Sequence, residues 1–92
     1  MRNLPRNEFG FAICLLPNGN LVRGPVSHGT PTSVEIQLRC QQGARFVGLG
    51  HTHPGGVAYP SRQDIKSGLE SKSEFLAIKS DNDIGFFPIR RG

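Results

Sequence analysis

Twelve glycines and seven prolines are spread through 92 residues, and that punctuation leaves room only for short elements. Glycine weakens helix and strand interiors, and proline removes a backbone donor. A chain this short forms one domain, residues 1–92, with a small core. Hydrophobic residues at 36% and charged residues at 20% suit a globular chain, not a disordered one. Eleven Lys+Arg against seven Asp+Glu give a net charge of +4, a mild bias toward acidic partners. With no basic block interleaved with aromatics, nucleic-acid binding is not expected.

The longest apolar run, residues 11–16, is too short to cross a bilayer, so no membrane association is expected. Residues 1–7 carry two arginines but no hydrophobic segment, so a signal peptide is not expected and the location predicted is cytoplasmic. Cys14 and Cys40 are not in a C-x-x-C pair; the sequence leaves a disulfide between them open, and two buried thiols are the blander reading for a cytoplasmic chain.

Residues 8–16 are rich in strand formers and run into Pro17-Asn18-Gly19-Asn20, a hairpin turn that predicts a return strand over 21–26. Over 32–40, Val34, Ile36, Leu38 and Cys40 alternate with Glu35, Gln37 and Arg39. A period of two predicts a half-buried strand there. Residues 46–50 read as a central strand, 51–60 as a Gly/Pro loop, and 61–71 as the one helix, with Ile65 and Leu69 on one face. Strands at 75–78 and 84–89 flank an Asp81-Asn82-Asp83 turn. The fold class expected is α/β (α+β): a small, mostly antiparallel curved sheet of about six strands with one main helix.

The chemistry concentrates in Gly50-His51-Thr52-His53-Pro54 and Pro60-Ser61-Arg62-Gln63-Asp64. Residues two apart in an extended chain point to one side, so His51 and His53 face one point. Asp64 opens the helix within reach of them. Two imidazoles and a carboxylate suit Zn²⁺ and leave a fourth position for water. Ser61 and Asp64 also fit a helix-capping arrangement, which sets the cap and the metal in competition for the Asp64 carboxylate. His28 has no partner pattern and reads as a surface residue.

HTHP followed by PSRQD resembles the JAMM (MPN-plus) zinc metalloprotease signature, of the prokaryotic JAB type, in which H-[ST]-H-P precedes S-x-x-D. The resemblance runs from about residue 8 to residue 89. It implies a JAMM/cytidine-deaminase-like fold and one Zn²⁺ per chain held by His51, His53 and Asp64, with a catalytic water. It also implies a glutamate on an early strand, which Asn7-Glu8-Phe9-Gly10-Phe11-Ala12 matches through Glu8. Glu35 is the rival, but it alternates with apolar residues and so points to solvent. By the resemblance Glu8 is the general base, Ser61 binds the developing oxyanion, and Thr52 and Pro54 shape the loop. The substrate implied is a ubiquitin-like or small sulfur-carrier protein conjugated through its C-terminal glycine.

The chain departs from the family in having only seven residues before Glu8, where members carry a helix, and in stopping after its last strand. A homodimer or another protein would then cover exposed apolar surface. The final Ile89-Arg90-Arg91-Gly92 faintly resembles a basic, glycine-ended ubiquitin-like tail, but the reading preferred is a frayed exposed terminus. Three other readings stand beside hydrolysis: a weakly catalytic JAMM-fold scaffold, a RadC-like protein whose H-x-H-P and P-S-x-x-D elements are similar, and a non-haem iron centre.

Overall fold

The computed structural model describes residues 6–89, so the basic tail at 90–92 and the first five residues lie outside the described part. Six strands and one helix follow in the order β1 (Phe9–Leu15), β2 (Leu21–Arg23), β3 (Ser27–His28), β4 (Arg45–Thr52), α1 (Arg62–Glu70), β5 (Phe75–Lys79) and β6 (Ile84–Pro88). The sheet order is β2-β1-β4-β5-β6, with β3 also pairing β1. Every pairing is antiparallel except β4 with β5. A parallel pair needs a crossover, and α1 supplies it. The expected fold class therefore holds.

The Pro17–Asn20 turn forms as its residues dictate. Gly19 takes φ 90°, Asn20 N–H donates to Asn18 Oδ1 at 2.9 Å, and Leu16 N–H closes on the Asn20 carbonyl at 2.8 Å. The return strand differs from expectation, because residues 21–26 are not continuous. Gly24 N–H still reaches the Ala12 carbonyl at 2.8 Å, but Pro25 has no N–H to offer, and pairing resumes only at Ser27.

Residues 32–40 correct a second expectation: they form no strand. β1 is already paired on one side with β4 and on the other with β2 and β3, so it offers this segment no free edge. The alternation survives as side-chain facing alone. Val34 and Ile36 are half-buried, Glu35, Gln37 and Arg39 are exposed, and Leu38 is also exposed. Ile36 settles over Gly10, where an added Cβ would stand 2.7 Å from Ile36 Cδ1.

Of the two readings open for the cysteines, the blander one, buried thiols, gives way. Cys14 and Cys40 form a disulfide, with Cα atoms 5.9 Å apart. It fastens the end of the unpaired segment to the C-terminal end of β1. Nothing in the spacing of the two cysteines announced it, because the pairing is set by the segment folding back.

The helix spans nearly the predicted residues, with Ser61 and Ser71 as its caps. Its apolar pair behaves otherwise than a core stripe: Ile65 and Leu69 are both 44% exposed, and Gly68 is the buried residue. A Cβ on Gly68 would lie 2.3 Å from Ile89 Cδ1 and 3.1 Å from Leu76 Cδ2, so α1 approaches the sheet through its smallest residue. The buried apolar set among the described residues is Ala12, Ile13, Cys14, Val47, Leu49, Leu76 and Ile78. No helix among the described residues is long and apolar enough to cross a membrane.

So small a core leans on its cross-link. A disulfide closing a loop across 26 residues lowers the entropy of the unfolded chain by an amount worth about 3 kcal/mol. Replacing both cysteines with serine should lower the urea-unfolding free energy by that order. Reducing the parent with a phosphine should have the same effect, and an unchanged midpoint would show the cross-link to be dispensable.

Candidate metal centre

The register of β1 on β4 builds the centre. Gly10 pairs with His51, so Glu8, two residues earlier, comes opposite His53, two residues later. Cross-strand partners and residues two apart share a face. Glu8, His51 and His53 therefore converge on one side of the sheet, although 43 positions separate Glu8 from His51 in the sequence. The backbone of Glu8 is clamped as well: its N–H donates to the Thr30 carbonyl at 2.7 Å, and its carbonyl accepts from Gly29 at 2.9 Å. Thr52 Oγ1 accepts the Phe9 N–H at 3.0 Å, tying the start of β1 to the end of β4. His53 N–H continues the parallel pairing by donating to the Lys79 carbonyl at 2.8 Å.

Three of these side chains, Glu8, His51 and His53, form a group able to hold a metal ion, with ligating atoms all within 4.8 Å of one another. Glu8 and His51 are each 7% exposed. The two rings meet edge to face, centroids 4.9 Å apart at 84°. Asp64 reaches the same point from α1. Its Oδ2 lies 3.0 Å from His53 Nε2 and its Oδ1 lies 3.5 Å from His51 Nε2, while Glu8 Oε1 is 3.6 Å from His51 Nδ1. The structure thus brings together all four residues expected at the centre.

Hydrogen-bond chemistry tests the fit of a cation. His53 Nδ1 faces the Val57 carbonyl at 3.0 Å, and a carbonyl only accepts, so Nδ1 carries the proton. In a neutral ring Nε2 is then an acceptor, and it confronts Asp64 Oδ2, another acceptor, at 3.0 Å. Only a proton or a cation between them makes that contact favourable. His51 Nε2 stands 3.5 Å from Asp64 Oδ1, beyond hydrogen-bond range, while the Glu8 carboxylate lies 3.6 Å from the opposite ring nitrogen, Nδ1. Donors placed tetrahedrally about Zn²⁺ at about 2.1 Å stand about 3.4 Å apart. The donor set and its spacing fit a metal ion, and Val57 supplies the orienting contact that metal-ligating histidines need.

Asp64 serves cap and centre together, with Oδ2 shared between the Ser61 N–H and His53 and Oδ1 left to His51. Ser61 and Asp64 form a capping box: Asp64 N–H donates to Ser61 Oγ at 3.1 Å, and Ser61 N–H donates to Asp64 Oδ2 at 2.8 Å. Oδ1 takes no part in the cap and remains directed at His51. Ser61 Oγ, accepting from Asp64, keeps its own hydrogen free to donate.

A groove of about 580 Å³ runs from this centre along α1. The unpaired segment forms its other wall, and Glu35 and Glu70 lie along it. Glu35 is exposed, as the alternation predicts. His28 is exposed too and sits 6.3 Å from the Phe9 ring, away from the centre. Sequence reasoning passed over Val57 and Thr30, because each acts through its backbone carbonyl, which residue type does not signal; Thr52, expected to shape the loop, acts through its side-chain Oγ1 on the Phe9 N–H.

Burial pushes the pKa of His51 below its ordinary 6.5, helped by His53 and opposed by the charges of Asp64 and Glu8. Its folded form favours the neutral ring that a metal requires. The stability consequence has a definite sign. Above pH 6.5 the ring is neutral folded or unfolded; below it the unfolded chain gains a proton that the folded chain resists. Metal-free protein should therefore lose stability as pH falls below about 6.5, and His51→Gln should flatten that dependence in thermal melts at pH 5 and 7.5.

No curated protein and no solved structure matches the chain. The sequence model described as prokaryotic homologs of the JAB domain does match it, over residues 16–87. That span holds His51, His53, Ser61 and Asp64, while Glu8 precedes it and joins the group through the sheet register. The chain therefore belongs to the family of prokaryotic JAB-domain homologs.

Proposed function

We propose that this protein is a zinc-dependent hydrolase of peptide or isopeptide bonds, acting on a ubiquitin-like or small sulfur-carrier protein joined through its C-terminal glycine. The supporting observation is the convergence of Glu8, His51, His53 and Asp64 at the end of a groove, with Ser61 beside them. In this reading His51, His53 and Asp64 hold the metal and Glu8 is the base. A bound Zn²⁺ supplies Lewis acidity, bringing the pKa of water from about 15.7 toward about 7.

The residues do the rest. The Glu8 carboxylate, largely buried at the end of the groove, takes a proton from the attacking water and returns it to the leaving amine. The Ser61 hydroxyl, fixed by the helix cap, donates to the carbonyl oxygen as negative charge develops there. Val57 holds His53 in one tautomer through its carbonyl. The Cα of a glycine acyl group, next to the carbonyl, carries no side chain to obstruct approach between Glu8 and Ser61. Retention of every one of these groups supports hydrolysis over a scaffolding role, and the glutamate base has no task in a non-haem iron centre.

The setting proposed is cytoplasmic, where sulfur-carrier conjugates arise. Reducing thiols act on disulfides there, and the Cys14–Cys40 bridge, with Cys14 buried and Cys40 half-buried, is the feature that stands against that setting. A homodimer would cover Ile84 and Phe86, which stand 60% and 63% exposed on the edge strand β6.

Two substitutions separate the roles. Glu8→Gln should still bind about one zinc per chain by metal analysis, yet lose about 10²- to 10⁴-fold in hydrolysis of glycine-ended isopeptide conjugates. Loss of zinc in that variant would instead make Glu8 a ligand. Asp64→Asn keeps an oxygen for the Ser61 N–H but removes the charge, so zinc affinity should fall while helix content by circular dichroism stays. Unchanged affinity would reduce Asp64 to a helix cap.

A further inference from the structure

Residues 32–40 wall one side of the groove, through Thr32, Ser33, Val34, Glu35, Ile36 and Leu38, yet no strand holds them. Among the described residues, positions 34–40 send one backbone N–H to the rest of the chain, from Gln37 to Ser27 Oγ at a long 3.4 Å. The segment is instead laid on a track of glycines. Ile36 covers Gly10, Val34 crosses Gly29, and the Arg39 carbonyl lies directly against Gly24. A fit of that kind excludes water but resists lifting weakly, because Val34 and Ile36 are only half-buried and Leu38 is exposed. The two ends are held differently. At the start, the Thr30 carbonyl accepts from Glu8, and Thr30 N–H donates to the Ser33 carbonyl at 2.8 Å. At the far end, the cross-link from Cys40 to Cys14 presses the segment to the sheet.

We infer that residues 32–40 are a redox-switched strap: with the Cys14–Cys40 bond closed the groove keeps this wall, and with the bond reduced the strap lifts off its glycines and the groove opens along that side. The two sulfurs are placed for it. Cys14 is fully buried in β1, paired to Val22 on one side and Phe46 on the other, so it stays put. Cys40 is half-buried on the strap and is the sulfur that a reductant reaches. A thiolate of a dithiol reductant attacks Cys40 Sγ and forms a mixed disulfide, while the Cys14 sulfur leaves as a thiolate and takes up a proton. The reductant's second thiol then displaces Cys40, which takes up a proton in turn, and the reductant ends as its own disulfide. Two electrons and two protons pass to the protein. The centre itself does not depend on the bond: Glu8, His51 and His53 are set by the register of β1 on β4, and Asp64 by the helix cap. In a compartment rich in thiols the strap stands open, and oxidation closes it.

Trypsin reads the strap directly, because its cut after Arg39 falls where the backbone lies on Gly24. A phosphine serves as reductant, since dithiols chelate zinc, and alkylation followed by mass measurement confirms that the bond is open. Reduction should speed the cut after Arg39 about tenfold or more, at a rate flat in low urea as a local opening requires. The cut after Arg45 in β4 should keep the urea dependence of global unfolding. Cys40→Ser should be cut at the fast rate with and without the phosphine. The functional arm rests on the hydrolase reading and is separable from it. Zinc content per chain should be the same in both redox forms. Cleavage of glycine-ended isopeptide conjugates should fall about fivefold in kcat/KM on reduction, through KM and not kcat, and recover on reoxidation. A strap that opens in a protein cleaving nothing in either form upholds the switch and counts against hydrolysis. The inference is overturned by an unchanged cut after Arg39, by a cut there that rises with urea in step with Arg45, by loss of zinc on reduction, or by equal kcat/KM in both forms of an active protein.

Discussion

The antiparallel pairing of β1 with β4 is the constraint on which the centre depends. Its register sets Gly10 against His51 and so delivers Glu8 to the histidine face. A slip of one residue would turn Glu8 to the other side of the sheet and bring Asn7 or Phe9 in its place. Several contacts guard against that slip. The Glu8 backbone is held by Gly29 and Thr30, Phe9 N–H is held by Thr52, and the hairpin closes the far end of β1. An exposed ion pair at 2.7 Å joins Arg6, just before Glu8, to Asp81 in the β5–β6 turn. Those contacts are strung along the strand rather than gathered at the centre, so the position of Glu8 is fixed by the sheet.

Asp64 couples the helix to the same point. A capping box normally serves the helix start alone, but here Oδ2 both accepts the Ser61 N–H and faces His53. The helix can therefore neither rotate nor slide without moving a carboxylate at the centre. Gly68 sets the opposite limit, since its missing side chain lets α1 settle against Leu76 and Ile89. Cap and contact together leave α1 one position, and that position aligns Glu70 and Ser71 with the groove while Ile65 and Leu69 remain half in solvent. The apolar pair four apart marked a helix correctly but not its packing face.

What the sequence revealed divides along the same line between local and distant. HTHP, PSRQD and the cap of α1 are local, and their spacing carried the histidines, Asp64 and Ser61 into place. Glu8 was legible only through resemblance, because its role arises from a cross-strand register that no short pattern encodes. Residues 32–40 show the limit from the other side. Alternation specifies which side chains face inward, and Val34 and Ile36 do so, but it is silent on whether a neighbouring edge is free to pair. The Cys14–Cys40 link was hidden for a related reason: β1 and the end of that segment meet only after the whole of β2 and β3 has folded between them.

A small core makes the polar cluster costly to keep. Seven short or medium apolar residues, one of them a bridged cysteine, are buried among the described residues, and beside them Glu8 and His51 are nearly as deep. Two carboxylates flank one buried imidazole, so the charges of Glu8 and Asp64 repel across it while burial keeps the ring neutral. In the metal-free protein that arrangement is opposed by desolvation and by like charge, and the core has little apolar area with which to offset them. A divalent cation reverses both terms, since it neutralises the carboxylates and gives each imidazole lone pair a partner. Metal binding would then be linked to folding, the ion acting as counter-charge to the carboxylates that the sheet register and the helix cap bring together.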